Sequence, residues 1–321
     1  MARCFSLILI IVIVAISVSL SCGLKENQLS YDYYKSSCPN IEMVVKTEML
    51  SIFLTDATAP AAFLRLMFHD CQVQVILFPP SLSLILFFTT SSKNFGIRKR
   101  EVINHIKSVL EEACPGQVSC VDIIVLAAKE SVSFSGGPDI RIPLGRKDSR
   151  TCSFKKADAQ LPPPAITVDE LISIFMSKGM NIEESVAILG AHTLGVGHCL
   201  NIVRRLYDPQ PGDKMDLAFE ASLRITCPTS IPLTNLSFVP NDITPTIFHN
   251  QYYRDILMGR GLFGIDSSIS RDSRTAPFVK QFAMDQNYFF QVFSSAFVKL
   301  SSTNVLTTEQ GEVRRQCNRV N

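Results

Sequence analysis

The chain contains no tryptophan and only five histidines in 321 residues, so no indole can carry a radical and each imidazole can be weighed singly. Charge of either sign is scarce in excess. Lys plus Arg total 31 against 29 Asp plus Glu, and a formal net charge of +2 offers no broad basic field for gripping nucleic acid. The compact Cys and His spacings of a zinc site are missing. No internal repeat and no Gly- or Ser-rich linker separates independent domains. Strand-type alternation surfaces only around Ile140, Ile142 and Leu144, which leaves no basis for a sizeable sheet.

What is there is apolar and helical in rhythm. Hydrophobic residues make up 46% of the chain, enough for a large core and too much for disorder. Val102, Ile103, Ile106, Val109 and Leu110 recur at helical spacing, as do Val168, Leu171, Ile172 and Phe175. Thr167 with Glu170 and Asn181 with Glu184 have the three-residue separation of capping boxes, and Gly179 and Gly190 stand where those helices should stop. Phe278, Val279, Phe282, Phe289, Phe290, Phe293 and Phe297 predict one long phenylalanine-rich helix. The class is mainly α.

Arg3, an apolar run from Phe5 to Leu20 and small residues at Ser21, Cys22 and Gly23 follow the order of a secretory signal, so residues 1–27 are set aside and residues 28–321 are taken as one domain. The run is shorter than the about 20 residues of a membrane span. Loss of Cys4 and Cys22 leaves eight of the ten cysteines in a chain bound for an oxidising compartment, where disulfides are expected. Asn235-Leu-Ser237 is a glycosylation sequon, a weak sign of the same route. Residues 75–90, VILFPPSLSLILFFTT, fit nothing around them, and Pro79 and Pro80 would interrupt any helix there.

Arg65 and His69 stand four apart in a stretch, Ala61 to Asp70, that reads as helix, so both side chains leave one face about a turn apart. Such a pair suits heterolysis of a peroxide. A neutral imidazole takes a proton from one oxygen and returns it to the other, while a guanidinium stabilises the departing negative charge.

The segment Leu64-Arg-Leu-Met-Phe-His-Asp-Cys71 resembles the distal helix of the plant secretory (class III) haem peroxidases. Leu189-Gly-Ala-His-Thr-Leu-Gly195, followed by His198-Cys199, resembles the proximal helix of that family. Ser37-Cys-Pro39, Cys114-Pro-Gly116, Val118-Ser-Cys-Val-Asp122, Leu144-Gly-Arg-Lys-Asp148, Leu161-Pro162 and Gly311 to Cys317 extend the likeness over most of the chain.

The resemblance implies a helical fold with haem b between distal and proximal halves, His192 as axial iron ligand, and His69 with Arg65 as the peroxide-cleaving pair. Asp266, in Gly264-Ile-Asp-Ser267, takes the place of the carboxylate that makes the axial imidazole more electron-donating. Phe68 would wall the distal pocket, and Pro162 would help to bind aromatic donors. His105 and His198 receive no catalytic role. The implied reaction reduces hydrogen peroxide and oxidises phenolic or other small aromatic donors one electron at a time, in a secreted monomer of the extracellular space or wall, with no nucleic-acid partner and no membrane anchor. The alternative is a catalytically impaired secreted protein of the same scaffold, acting by binding.

Residue by residue, the resemblance pairs Cys38 with Cys114, Cys120 with Cys317, and Cys199 with Cys227. Cys71 loses its expected partner, because the family's loop of calcium ligands is absent after Gln74, and whether Cys152 replaces it stays open. Asp70 and the Val73 carbonyl alone leave a distal calcium short of its six to eight oxygens. The proximal calcium set retains Thr193, Thr244, the Ile247 carbonyl and either Asn241 or Asp242, while His249 occupies the place of an aspartate. The lost loop would also have carried the residues that orient His69, with Asn94 a stand-in. The abrupt change at residue 75 reads as translated intron or a mistaken exon boundary.

Overall fold

A computed structural model describes residues 29–73, 97–151, 161–162, 165–210, 212–232 and 236–321. The signal segment, the apolar stretch 75–90, Asn94, Cys152 and the glycosylation asparagine lie outside these residues. Helices α1 (Ile41–Thr55), α2 (Ala59–Val73), α3 (Arg100–Ala113) and α4 (Cys120–Phe134) form the first half. Then come α5 (Val168–Met176), α6 (Ile182–Ile188), α7 (Val203–Tyr207) and α8 (Leu217–Thr226). The last group is α9 (Gln251–Leu257), α10 (Gly264–Ile269), α11 (Ala276–Met284) and α12 (Gln286–Ser302). Among the described residues the only sheet is an antiparallel pair, β1 (Val196–His198) against β2 (Phe238–Pro240).

The sequence rhythm and the elements agree at the capping boxes: both Thr167 with Glu170 and Asn181 with Glu184 are reciprocal. The phenylalanine series does not form one helix. It breaks at Asp285, whose backbone is extended (φ −127°, ψ 100°) and whose side chain accepts the Tyr288 amide, so a local cap wins over periodicity that runs straight through it. Gly190 also differs from expectation: it lies inside a 3-10 turn, Leu189–Thr193, that continues directly from α6. A Cβ there would meet the Phe289 ring at 2.5 Å, so packing rather than termination explains the glycine.

The central helix α4 is buried from Cys120 through Val132 and packs against α1, α2 and α3. Its N-terminus sits in an ionic knot. Asp122 accepts bonds from the Tyr34 hydroxyl, the Gly145 amide and Arg146 Nη1, each at 2.8 Å, and the Arg146–Asp122 pair is fully buried. Asp148 accepts the amides of Cys120, Val121 and Arg314. Distant parts of the chain therefore meet at one place, and the Cys38–Cys114 and Cys120–Cys317 disulfides fix the same region covalently. A smaller apolar cluster forms around Cys199–Cys227, with Ile202, Leu206, Leu223 and Val239. All three pairings are those the family likeness implied, and no described helix is long and apolar enough to cross a membrane.

Replacing Arg146 by Leu leaves Asp122 buried without its counter-ion. Guanidinium denaturation should show a loss of about 3–5 kcal/mol. A loss below about 1 kcal/mol would mean that the amide and phenol donors satisfy Asp122 by themselves.

Candidate functional site

Helix α2 carries Arg65 and His69 on one face, and Arg65 Nε–H donates to His69 Nε2 over 3.4 Å. His69 is buried, and burial pulls the Arg65 guanidinium below its ordinary pKa while leaving it a cation. Because Nε2 is the accepting nitrogen in this contact, it is the lone pair offered as a base. The Phe68 ring lies edge-on beside the imidazole, centroids 6.1 Å apart, and packs on the main core.

On the other side, His192 is carried by the 3-10 turn Leu189–Thr193, wedged between α6 and α9. Its Nδ1 is 3.0 Å from Asp266 Oδ1. The contrast in burial is informative: the His192 side chain retains 34% exposure while Asp266 retains 1%, so the ring is tied at its inner edge and reachable at its outer one. Asp266 Oδ2 accepts the Phe263 amide at 2.8 Å, which caps α10. Asp266 Oδ1 also accepts the Tyr252 hydroxyl at 2.8 Å. Burial and that carboxylate hold the Tyr252 phenol well above its usual pKa, so it remains a donor. Phe263 and Tyr252 flank the His192 ring edge-on, at 5.2 and 5.8 Å.

The two walls converge. Gly195, three residues after His192 and at φ +88°, approaches α2 so closely that a Cβ would lie 2.6 Å from Ala61 Cβ. Ala61, Arg65 and His69 share one stripe of α2, and a rise of 1.5 Å per residue puts the latter two about 6 and 12 Å beyond the contact. The residues fit a haem: His192 Nε2 is the nitrogen left for a metal once Nδ1 is committed, and a base and a cation occupy the stripe on the adjoining wall.

The other expected residues separate into groups. Pro162 is half-buried in irregular chain after buried Leu161. Asp70 is buried, with Oδ1 unpartnered among the described residues. Burial, reinforced by Asp148 and opposed by Arg146 and Arg314, pushes its carboxyl up to about 7. Val73 ends α2. Thr193, Asp242, Thr244 and Ile247 come together behind His192 with His249. Asp242 rather than Asn241 turns into that group, because the Asn241 amide instead donates to the Leu194 carbonyl at 2.8 Å. Cys71 is a buried free thiol beside Met67, pushed up to about 12 by burial and Asp70. His105 pairs with Glu48, and His198 lies in β1, both away from the Asp266 network.

Sequence reasoning missed Tyr252. Tyr252-Tyr253 reads as ordinary core, and only the fold brings the first phenol 2.8 Å from Asp266, fourteen residues on.

Comparison with known proteins places these walls in a family. The model of the family described as Peroxidase matches residues 45–285. Peroxidase 29 of Arabidopsis thaliana is 50% identical over 301 residues, covering 91% of this chain and 89% of that protein. Peroxidase 12 of the same plant is 37% identical over 300 residues, covering 90% and 82%, and Peroxidase 21 is 36% identical over 304 residues, covering 92% and 91%. With half the residues of one relative retained across nearly the whole length, the chain belongs to the plant peroxidase family.

Proposed function

We propose that this peroxidase cleaves hydrogen peroxide with Arg65 and His69 above a haem held by His192, and oxidises phenolic or other small aromatic donors. The observation that carries the reading is the pairing of two differently committed imidazoles: His192 has Nδ1 bound to Asp266, while His69 offers Nε2 beside Arg65. Haem held by His192 would supply the redox chemistry, giving two electrons to peroxide and recovering them one at a time from the donors.

His69 Nε2 would take a proton from one peroxide oxygen and return it to the other, which leaves as water, with the two electrons coming from haem held by His192. Arg65, desolvated and cationic, stabilises the negative charge that gathers on that leaving oxygen. Asp266 keeps the His192 Nδ1 proton shared, which orients the ring and makes its other nitrogen a stronger donor. Tyr252 moderates that effect by giving Asp266 Oδ1 a second proton to share. Phe68 and Phe263 stand edge-on beside His69 and His192 respectively and limit how far each ring can turn. Pro162 is assigned to the donor edge by family likeness.

Three further assignments complete the reading. Residues 1–27 are a cleaved secretory signal and residues 28–321 one domain, supported by three disulfides and by an apolar core continuous from Tyr34 to Cys317. The product is extracellular or wall-bound and monomeric. The distal calcium is lost, because no acidic residue follows Asp70 before Glu101 and Asp70 lies among Arg146 and Arg314.

Two outcomes check the site. His69→Ala in the haem-loaded protein should lower the rate constant for peroxide, read by stopped-flow absorbance, by about 10²–10⁴-fold while leaving the Soret band; His192→Ala should weaken haem retention itself. A Soret band that responds to peroxide no more slowly in His69→Ala would remove His69 from the reaction.

Tyr252→Phe concentrates the Asp266 charge on His192. Redox titration should show a lower ferric/ferrous midpoint potential than wild type, and Asp266→Asn a higher one. Equal potentials in all three proteins would show that the network does not tune the metal.

A further inference from the structure

Behind His192 lies a cluster of oxygen donors with an imidazole among them. Thr193, the residue next to His192, has its hydroxyl 2.6 Å from Asp242 Oδ2 and 2.9 Å from His249 Nδ1. The opposite ring nitrogen, His249 Nε2, lies 2.5 Å from the Thr244 hydroxyl. The Thr244 amide donates to Asp242 Oδ1 at 2.7 Å, and its hydroxyl lies 3.4 Å from the same atom. The Gln251 amide reaches Nδ1 from 3.3 Å, and Nδ1 is 3.9 Å from Asp242 Oδ2.

These contacts come from two separated parts of the chain: the turn after α6 and the single connection, residues 241–250, that joins β2 to α9. Two threonine hydroxyls and a fully buried carboxylate are hard oxygen donors of the type a calcium ion collects at 2.3–2.6 Å. Two oxygens bound to one such ion can be no more than about 5 Å apart. Here the hydroxyls bond opposite nitrogens of one ring, so the ring stands in the span an ion would need. The residues present therefore do not fit calcium.

We propose that the His249 side chain takes the place of a metal ion, cross-linking Thr193, Asp242 and Thr244 into a metal-free clamp that positions His192. His249 is a positioning residue: it reaches the site only through Thr193. The clamp itself is independent of the haem assignment, and only its effect on His192 rests on the proposed function. Calcium content and haem spectra therefore fail separately.

The test uses the secreted, haem-loaded protein, with calcium measured by elemental analysis and by calorimetric titration. Wild type should bind no calcium at this position, and chelator should change neither its melting temperature nor its Soret band. His249→Asp removes the ring and adds a carboxylate, so it should gain one calcium per chain and melt at a temperature that rises with added calcium. His249→Ala should melt lower than wild type, shift the spectrum of the His192-bound iron and gain nothing from calcium. Should His249→Asp fail to accumulate, the wild-type measurement decides alone. One tightly held calcium per wild-type chain that survives Asp70→Ala would overturn the proposal, as would a folded His249→Asp that takes up none.

Discussion

The Asp266 carboxylate is the interaction on which the proximal half depends. One side chain caps α10 through the Phe263 amide, receives the Tyr252 hydroxyl from α9, and holds His192 on the turn after α6. Three elements are thereby aligned on a single buried anion, whose charge is satisfied by donors from each. The same bonds that orient the imidazole also settle how α6, α9 and α10 meet. Electronic tuning and packing cannot be separated at this residue, and its burial at 1% exposure excludes the water that would otherwise compete.

Much of this arrangement was legible in the sequence because it is local. Arg65 and His69 needed only helical periodicity to be placed together, and the capping boxes of α5 and α6 announced their own starts. The three disulfides came through likeness alone, since a count of cysteines leaves their connectivity open. What stayed illegible depends on distance through the fold. Tyr252 has no local signature, because its role is defined by a partner fourteen residues on. The break at Asp285 was hidden for another reason: seven phenylalanines and valines keep helical phase across it, and a single capping side chain overrides them. Gly190 looked like a stop signal but answers to the Phe289 ring.

Departures from the family pattern fall on both sides of the site, and their physical character differs. On the proximal side the His249 ring lies between the Thr193 and Thr244 hydroxyls, one at each ring nitrogen. On the distal side the buried Asp70 carboxyl has one oxygen without a partner among the described residues, and burial raises its pKa. Cys71 next to it is similarly stranded, although a buried thiol packed on Met67 is an inert hydrophobe at little cost.

The close approach of Gly195 to Ala61 acts as a fulcrum. The turn that follows His192 and the helix that carries Arg65 and His69 touch there, backbone against methyl. A methyl group added at Gly195 would have no room beside Ala61, so the helix and the turn would have to part where two of the smallest residues now let them meet.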